Sequence, residues 1–193
     1  MPDPPRATWR VLGVSTTLAL LAAVGTVVVL SDDGDEGGTE SPTEVTLVPD
    51  DEVPTFDEAT YTTFEGDTVP LSSVRGTPTV LNFWASYCTP CLTEMPAFEE
   101  VYQEVKGEEV AFLGLAVADR TDDAEEMVET TGVTYPTAED EDASVITLLE
   151  GVVLPTTVLL DADGNVVARH AGELSADELR SLLADELGVG ASS

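Results

Sequence analysis

Thr79-Val80-Leu81-Asn82-Phe83-Trp84-Ala85-Ser86-Tyr87-Cys88-Thr89-Pro90-Cys91 is the stretch on which the fold turns. Thr79 to Ala85 form a short, almost wholly apolar run, the pattern of a strand buried on both faces of a sheet. Two cysteines in C-x-x-C spacing follow at once. Beyond them Met95, Phe98, Tyr102 and Val105 recur at spacings of three and four, the stripe of an amphipathic helix. The cysteines therefore fall where a buried strand hands over to a helix. A helix start carries unpaired N–H groups and the positive end of the dipole, and both stabilise a thiolate. This points to Cys88, at the very start, as a nucleophile. Cys91, one turn on and less exposed, is placed to attack the mixed disulfide formed at Cys88. Pro90 suits the first helical turn, where a missing N–H costs little. A static disulfide or half of a metal site is the competing reading, but closing so short a loop stabilises little.

Working outward, Val110 to Ala118 reads as a second buried strand. Asp122 to Thr131 reads as an exposed acidic helix ended by Gly132, and Ala143 to Leu149 as a short helix. Thr156 to Leu160 and Val166 to His170 flank Asp161-Ala162-Asp163-Gly164-Asn165, which signals a hairpin. Gly164 comes too early for a calcium-binding loop, and no Glu closes one. Ser175 and Glu178 form a capping box at the start of the last helix. Strands alternating with helices and ending in a hairpin and a helix imply an α/β fold, a sheet covered by helices on both faces.

Trp84 to Cys91, the Thr93-Glu94-Met95-Pro96 that follows, and Leu154-Pro155-Thr156-Thr157 further on resemble the membrane-tethered thioredoxin-like proteins of the TlpA/ResA/DsbE type. The resemblance covers residues 56 to 188. It implies a thioredoxin-like fold with a central mixed sheet, and a thiol-disulfide oxidoreductase that reduces partner proteins. Apocytochrome c, with its C-x-x-C-H thiols, is a frequent client of such proteins. The implied partners are a client carrying a cysteine pair and an electron donor in the membrane, acting on a monomer. No cofactor is implied beyond the Cys88–Cys91 disulfide, and no metal. The resemblance also makes Pro155 cis and lays it against the cysteines, leaving the backbone of Leu154 free to pair with an extended substrate. The expected substrate-binding residues are Trp84, Tyr87, Thr89, Pro90, Leu154, Pro155 and Thr156. Asn82 stands where cytosolic relatives carry an Asp.

Glu94 lies six residues after Cys88 and three after Cys91, so all three share one side of the first helical turns. A carboxylate there is positioned to take the proton of Cys91 as it resolves the mixed disulfide. Against this stands the fact that Glu94 is one of 38 acids, and surface glutamates are commonplace. His170, the single histidine, raises a copper-chaperone alternative, but chaperones of the Sco type use C-x-x-x-C rather than C-x-x-C. An oxidase or isomerase would use the same residues and differ only in potential.

Val11 to Leu30 is a run of 20 uncharged residues, enough to cross the ~30 Å hydrocarbon core as a helix. Arg6 and Arg10 precede it, and Asp32, Asp33, Asp35 and Glu36 follow, which orients residues 1–10 to the cytoplasm and the remainder outside. A cleaved signal peptide is the competitor, although its apolar region is usually about 7–15 residues. Both readings give an extracytoplasmic, disulfide-permissive location. Residues 31–55, rich in Gly, Pro, Ser, Thr and acids, read as a flexible tether leading to a domain over 56–190.

Charge narrows the partners. The chain holds 38 acidic and 7 basic residues, and residues 31–193 carry 37 and 5 of these. A nucleic-acid binder needs clustered Lys and Arg, so that class is excluded. The acids are not spread evenly. The 26 residues between Asp67 and Glu94 contain none, nor does Gly151 to Leu160. Buried strands explain only part of this, and the gap predicts a neutral docking face around Tyr87, Thr89, Pro90 and Leu154 on a negative surface.

Overall fold

The apolar run does form a strand, with every residue from Thr79 to Trp84 buried. It belongs to a computed structural model that describes residues 43–44, 54–107 and 110–190, all within the unit Thr39–Ser193. In chain order the strands are β1 (Thr43–Glu44), β2 (Thr60–Thr62), β3 (Thr68–Pro70), β4 (Thr79–Trp84), β5 (Ala111–Val117), β6 (Thr137–Asp140), β7 (Val153–Leu154), β8 (Thr156–Leu160) and β9 (Val166–Ala171). The helices are α1 (Thr89–Val105), α2 (Thr121–Thr131), α3 (Ser144–Leu148) and α4 (Ala176–Leu187). A 3₁₀ turn occupies Leu71–Val74.

Seven strands form one mixed sheet in the order β3-β2-β6-β5-β4-β8-β9, while β1 and β7 pair separately. β4 runs parallel to β5 and antiparallel to β8. The inner strands β4 and β8 are buried throughout, whereas the edge strand β9 alternates between half-buried and exposed residues. This is the difference between strands covered on both faces and one open to water. Core residues Met95, Phe98, Val101 and Val105 line the buried stripe of α1, and Tyr102 packs on its margin. α1 also packs against α4. There Arg180 ties the two helices by donating to Glu104 (2.8 Å) and Glu100, and to Asp177 within its own helix (2.7 Å).

Local signals place the ends of the elements. Gly132 takes the left-handed conformation that closes α2 (φ 68°). Ser175 and Glu178 make the reciprocal capping box of α4. In the β8–β9 turn Asp161 Oδ1 accepts from the backbone of Asp163 (2.9 Å) and Asn165 (2.8 Å), so the acidic stretch is a turn locked by its own side chain.

Four strands carry no strong sequence signal. The β2–β3 hairpin, β6 and β7 are short and lack apolar runs; pairing alone places them. β6 (Thr-Ala-Glu-Asp) lies parallel to β5 with Gly114 opposite Thr137. Its last residue, Asp140, is buried and accepts the N–H groups of Val145 (3.0 Å) and Ile146 (2.8 Å) at the start of α3. Burial still pushes its carboxyl up to about 6. A two-residue strand, β1, falls inside the segment read as tether. The apolar run Val11 to Leu30 lies outside the described residues, as does most of the tether; among the described residues no helix is long and apolar enough to cross a membrane.

Candidate active site

β4 delivers the chain to the cysteines. Cys88, with extended backbone (φ −97°, ψ 101°), is the N-cap of α1, and Thr89, Pro90 and Cys91 form its first turn. The two cysteines are joined as a disulfide, their Cα atoms 5.3 Å apart. Cys91 N–H points at Cys88 Sγ, 3.3 Å away. That amide supplies the helix-end stabilisation the spacing predicts for a Cys88 thiolate. Exposure departs from expectation. The spacing predicts Cys88 to be the more exposed sulfur, yet both cysteines have 0% exposure.

Glu94 is not a surface acid. It has 0% exposure, and its two oxygens accept separate hydrogen bonds, Oε2 from Asn82 Nδ2 (2.8 Å) and Oε1 from Leu174 N–H (2.9 Å). The carboxyl is thus held between the central strand β4 and the lead-in to α4. Burial pushes it up to about 8, against the opposing pull of these two bonds. An ordinary thiol titrates at about 8.5, so a carboxyl in this range is matched to exchange a proton with one. Cys91 and Glu94 stand three residues apart on α1, which makes them neighbours on the helix surface.

Asn82 is more than a replacement for an acid. Its Nδ2 serves Glu94, while its Oδ1 has no hydrogen-bond partner among the described residues. An amide offers donors on one side and an acceptor on the other, so a flipped Asn82 would accept from a protonated Glu94 as readily as it donates to an ionised one. Its neighbour in β8, Thr157, also has a hydroxyl without a partner among the described residues. Neither residue's part is obvious from sequence; the available signal is a polar residue inside an otherwise apolar strand.

The Leu154–Pro155 peptide bond is cis. Register brings it to the cysteines: Thr156 of β8 pairs with Phe83 of β4, which sets Pro155 level with Trp84, four residues before Cys88. The expected substrate-binding set divides. Tyr87 (51% exposed) and Thr89 are open to solvent and Pro90 is half-buried. Trp84, Leu154, Pro155 and Thr156 are buried. Trp84 fills the space over Gly114, where an added Cβ would lie 2.9 Å from its Nε1, so it supports the site from beneath. Thr156 turns its hydroxyl to Val153 O (2.7 Å).

Asp119 is a site residue the sequence reading missed. Ala118, at the end of β5, adopts φ 47°, and the next residue turns its carboxylate onto Ser86, accepting from both its N–H and its hydroxyl (2.8 Å). The loop before Cys88 is therefore pinned from β5. A residue just past the carboxyl end of a central strand is the signal that points there. Asp119 also corrects the expected neutral docking face. It borders the loop, and Asp123 and Glu126 of α2 line a groove with Ser86 and Leu92. Tertiary packing returns to this face the acids that the local sequence leaves out. Among the described residues no group of three or more His, Cys, Asp or Glu is arranged to hold a metal ion.

Residues 49–169 match the model of the AhpC/TSA family. The chain is 35% identical over 133 residues to the thiol-disulfide oxidoreductase ResA of Bacillus thuringiensis (strain Al Hakam), covering 68% of this chain and 75% of that one. The fold is similar to that of MTB DsbF, solved in mixed oxidised and reduced forms (TM-score 0.62, 30% identity, 69% of this chain and 98% of that one). It is also similar to a secreted Mycobacterium tuberculosis disulfide oxidoreductase homologous to E. coli DsbE (TM-score 0.59, 25% identity, 66% and 95%). The seven-stranded mixed sheet is thus the thioredoxin-like one.

Proposed function

The chain belongs to the AhpC/TSA family and is a thiol-disulfide oxidoreductase of the ResA type, and from that premise we propose that it reduces disulfides of client proteins outside the cytoplasm. The observation that supports dithiol exchange at this site is Glu94, buried three residues beyond Cys91 on the same helix with its carboxyl raised to about 8; the reducing direction rests on the likeness to ResA. In the reduced protein the Cys88 thiolate attacks a client disulfide. A Cys88–client bond forms, and the client's second sulfur leaves as a thiolate. Cys91 then gives its proton to Glu94 and attacks Cys88 Sγ. The Cys88–Cys91 bond closes and the first client sulfur leaves. Two electrons have passed to the client, and a dithiol donor must return them.

Asn82 and the Leu174 N–H are positioning groups in this scheme, because they hold the Glu94 carboxyl. Tyr87, Thr89 and Pro90 present the face that meets the client, and the cis Leu154–Pro155 bond shapes the edge beside them. An apocytochrome c with its C-x-x-C-H pair is the client class we favour. Val11 to Leu30 would anchor the domain, with the amino terminus in the cytoplasm; Arg6 and Arg10 before the run support that orientation.

The test is reduction of a peptide carrying a C-x-x-C-H disulfide by the pre-reduced protein. Cys88→Ser should abolish it. Cys91→Ser should stop at a Cys88–peptide mixed disulfide, visible as a mass increase. A Cys91→Ser protein that never captures peptide would overturn the assignment.

A further inference from the structure

His170 is the single histidine, and the dithiol chemistry above leaves it unused. Register nevertheless ties it to Glu94. Gly114 lies opposite Asn82, Asn82 opposite Thr157, and Thr157 opposite His170, so β5, β4, β8 and β9 contribute one level row. Cross-strand partners point to the same face of a sheet, with Cβ atoms about 4.5–5.5 Å apart. At one end of the row Asn82 turns to Glu94 of α1. At the other His170 turns to α4, where it lines an open cavity of about 390 Å³ with Leu174, Asp177, Glu178 and Asp185. The two helices pack together over this face. The row therefore runs from Glu94 to the edge of the sheet.

What stands between the two ends is polar and unpaired. Asn82 Oδ1 and Thr157 Oγ1 are buried on neighbouring strands, and neither has a hydrogen-bond partner among the described residues. Adjacent orphans of this kind suit a buried water, which needs roughly two to four polar partners. In the opposite direction the row is stopped. Trp84 and Tyr135 cover Gly114, and although their polar atoms are also unpaired, Tyr135 is buried against Tyr102 and Phe112, so this side ends in an aromatic cluster. Leu174 marks the open side, because its N–H holds Glu94 Oε1 and the same residue lines the His170 cavity.

A buried proton acceptor needs an outlet. At neutral pH most copies of a carboxyl raised to about 8 hold a proton, and each must lose it before it can take the one on Cys91. We propose that Thr157 and His170 form the proton outlet of Glu94, leading through a water at Asn82 and Thr157 to the solvent in the α4 cavity. This inference rests on the proton-acceptor role given to Glu94 above and adds its exchange with solvent. Glu94 gives its proton to the water, the water passes one to a ring nitrogen of His170, and His170 releases a proton to the cavity; no electron moves. An imidazole suits the outer place, because its ring nitrogens both accept and donate protons. The carboxylates of Asp177, Glu178 and Asp185 share the cavity with it, while Arg169, next to it on β9, is turned to Leu149 O (2.7 Å) and Glu150. Glu173 and Tyr135 are the titratable groups that face Glu94. Thr157 and His170 are thus positioning residues, acting through Glu94 rather than on the sulfurs.

The experiment uses the full chain, reduced, with glutathione disulfide as the probe in dilute buffer. Release of glutathione from the Cys88 mixed disulfide is timed between pH 6 and 10. His170→Ala and Thr157→Val should each slow release about tenfold at pH 7, less than loss of the acceptor itself. Both should match the parent above pH 9, where Glu94 is already ionised. Thr157→Ser, which keeps the hydroxyl, should recover most of the parent rate. Added imidazole should restore His170→Ala and do nothing for Glu94→Gln. Equal rates at pH 7 in parent and His170→Ala, a slowing that imidazole does not reverse, or a Thr157→Ser as slow as Thr157→Val overturns the proposal. If this pattern appears with glutathione while the C-x-x-C-H peptide is not reduced, the outlet stands and the client-reduction reading falls.

Discussion

Replacing Glu94 by Gln tests the centre of the mechanism, because one carboxyl is asked to explain both a rate and a stability. The change keeps the shape. A Gln at this place still offers an acceptor to Leu174 N–H and, with Asn82 flipped, a donor to its Oδ1. What it removes is the titration. Moving a buried carboxyl from its ordinary 4.5 up to about 8 makes the ionised form unfavourable by up to about 5 kcal/mol, at about 1.4 kcal/mol per pH unit. The folded state holds this proton more tightly than the unfolded chain does. The favourable contribution is thus complete below pH 4.5 and is lost as pH rises through about 8. Asp140, raised from 3.8 to about 6 by burial, acts in the same direction but only in the lower part of that range. The Glu94 share is therefore read between pH 6 and 8. Across that interval the parent should lose stability in urea unfolding while Glu94→Gln stays nearly flat, ending a few kcal/mol more stable than the parent at pH 9. The kinetic effect has the opposite sign. At pH 7 about one Glu94 in ten is ionised, and removing it as proton acceptor should slow resolution of a Cys88–peptide mixed disulfide by about 100-fold. The gap should close above pH 9, where Cys91 loses its proton to solvent unaided. Stopped-flow release of a labelled peptide across pH 6–10 measures it. Equal rates and equal pH profiles in the two proteins would refute the proton-acceptor role, and an unchanged stability slope between pH 6 and 8 would refute the burial argument beneath it.

Asn82→Asp sets a second carboxyl within hydrogen-bond reach of Glu94. The pair cannot readily ionise together, so the rise of the resolution rate with pH should move to higher pH, and turnover at pH 7 should drop about tenfold. Asp140→Ala strips the N–H groups of Val145 and Ile146 of their acceptor, which should cost about 1–2 kcal/mol in chemical unfolding at pH 7 and leave mixed-disulfide capture by Cys88 intact. With Asp119, Asp123 and Glu126 bordering Ser86 and Leu92, basic disulfide peptides should be reduced about tenfold faster than acidic ones at low salt, and the ratio should approach one near 1 M salt; equal rates at low salt would remove charge from client selection.

Local patterns in the sequence determined a good part of this protein. The apolar run at 79–84, the C-x-x-C at a helix start, the Asp161–Asn165 turn and the Ser175–Glu178 cap are each written in consecutive residues, because burial on two faces, dipole stabilisation and capping act over one or two turns of chain. The position of Glu94 beside Cys91 is legible in the same way, from helical spacing alone. Only the tertiary structure decided what kind of carboxyl Glu94 is. Its burial and its two donors come from residues 12 positions before it and 80 after it, and no local pattern encodes that meeting. The same holds for Asp119, which reaches Ser86 across 33 residues, and for the acids that return to a face whose own sequence lacks them. β6 and β1 complete the contrast. A strand built on main-chain pairing needs no side-chain pattern, only an open edge, and the edges of β5 and β7 exist only once the rest of the chain has folded.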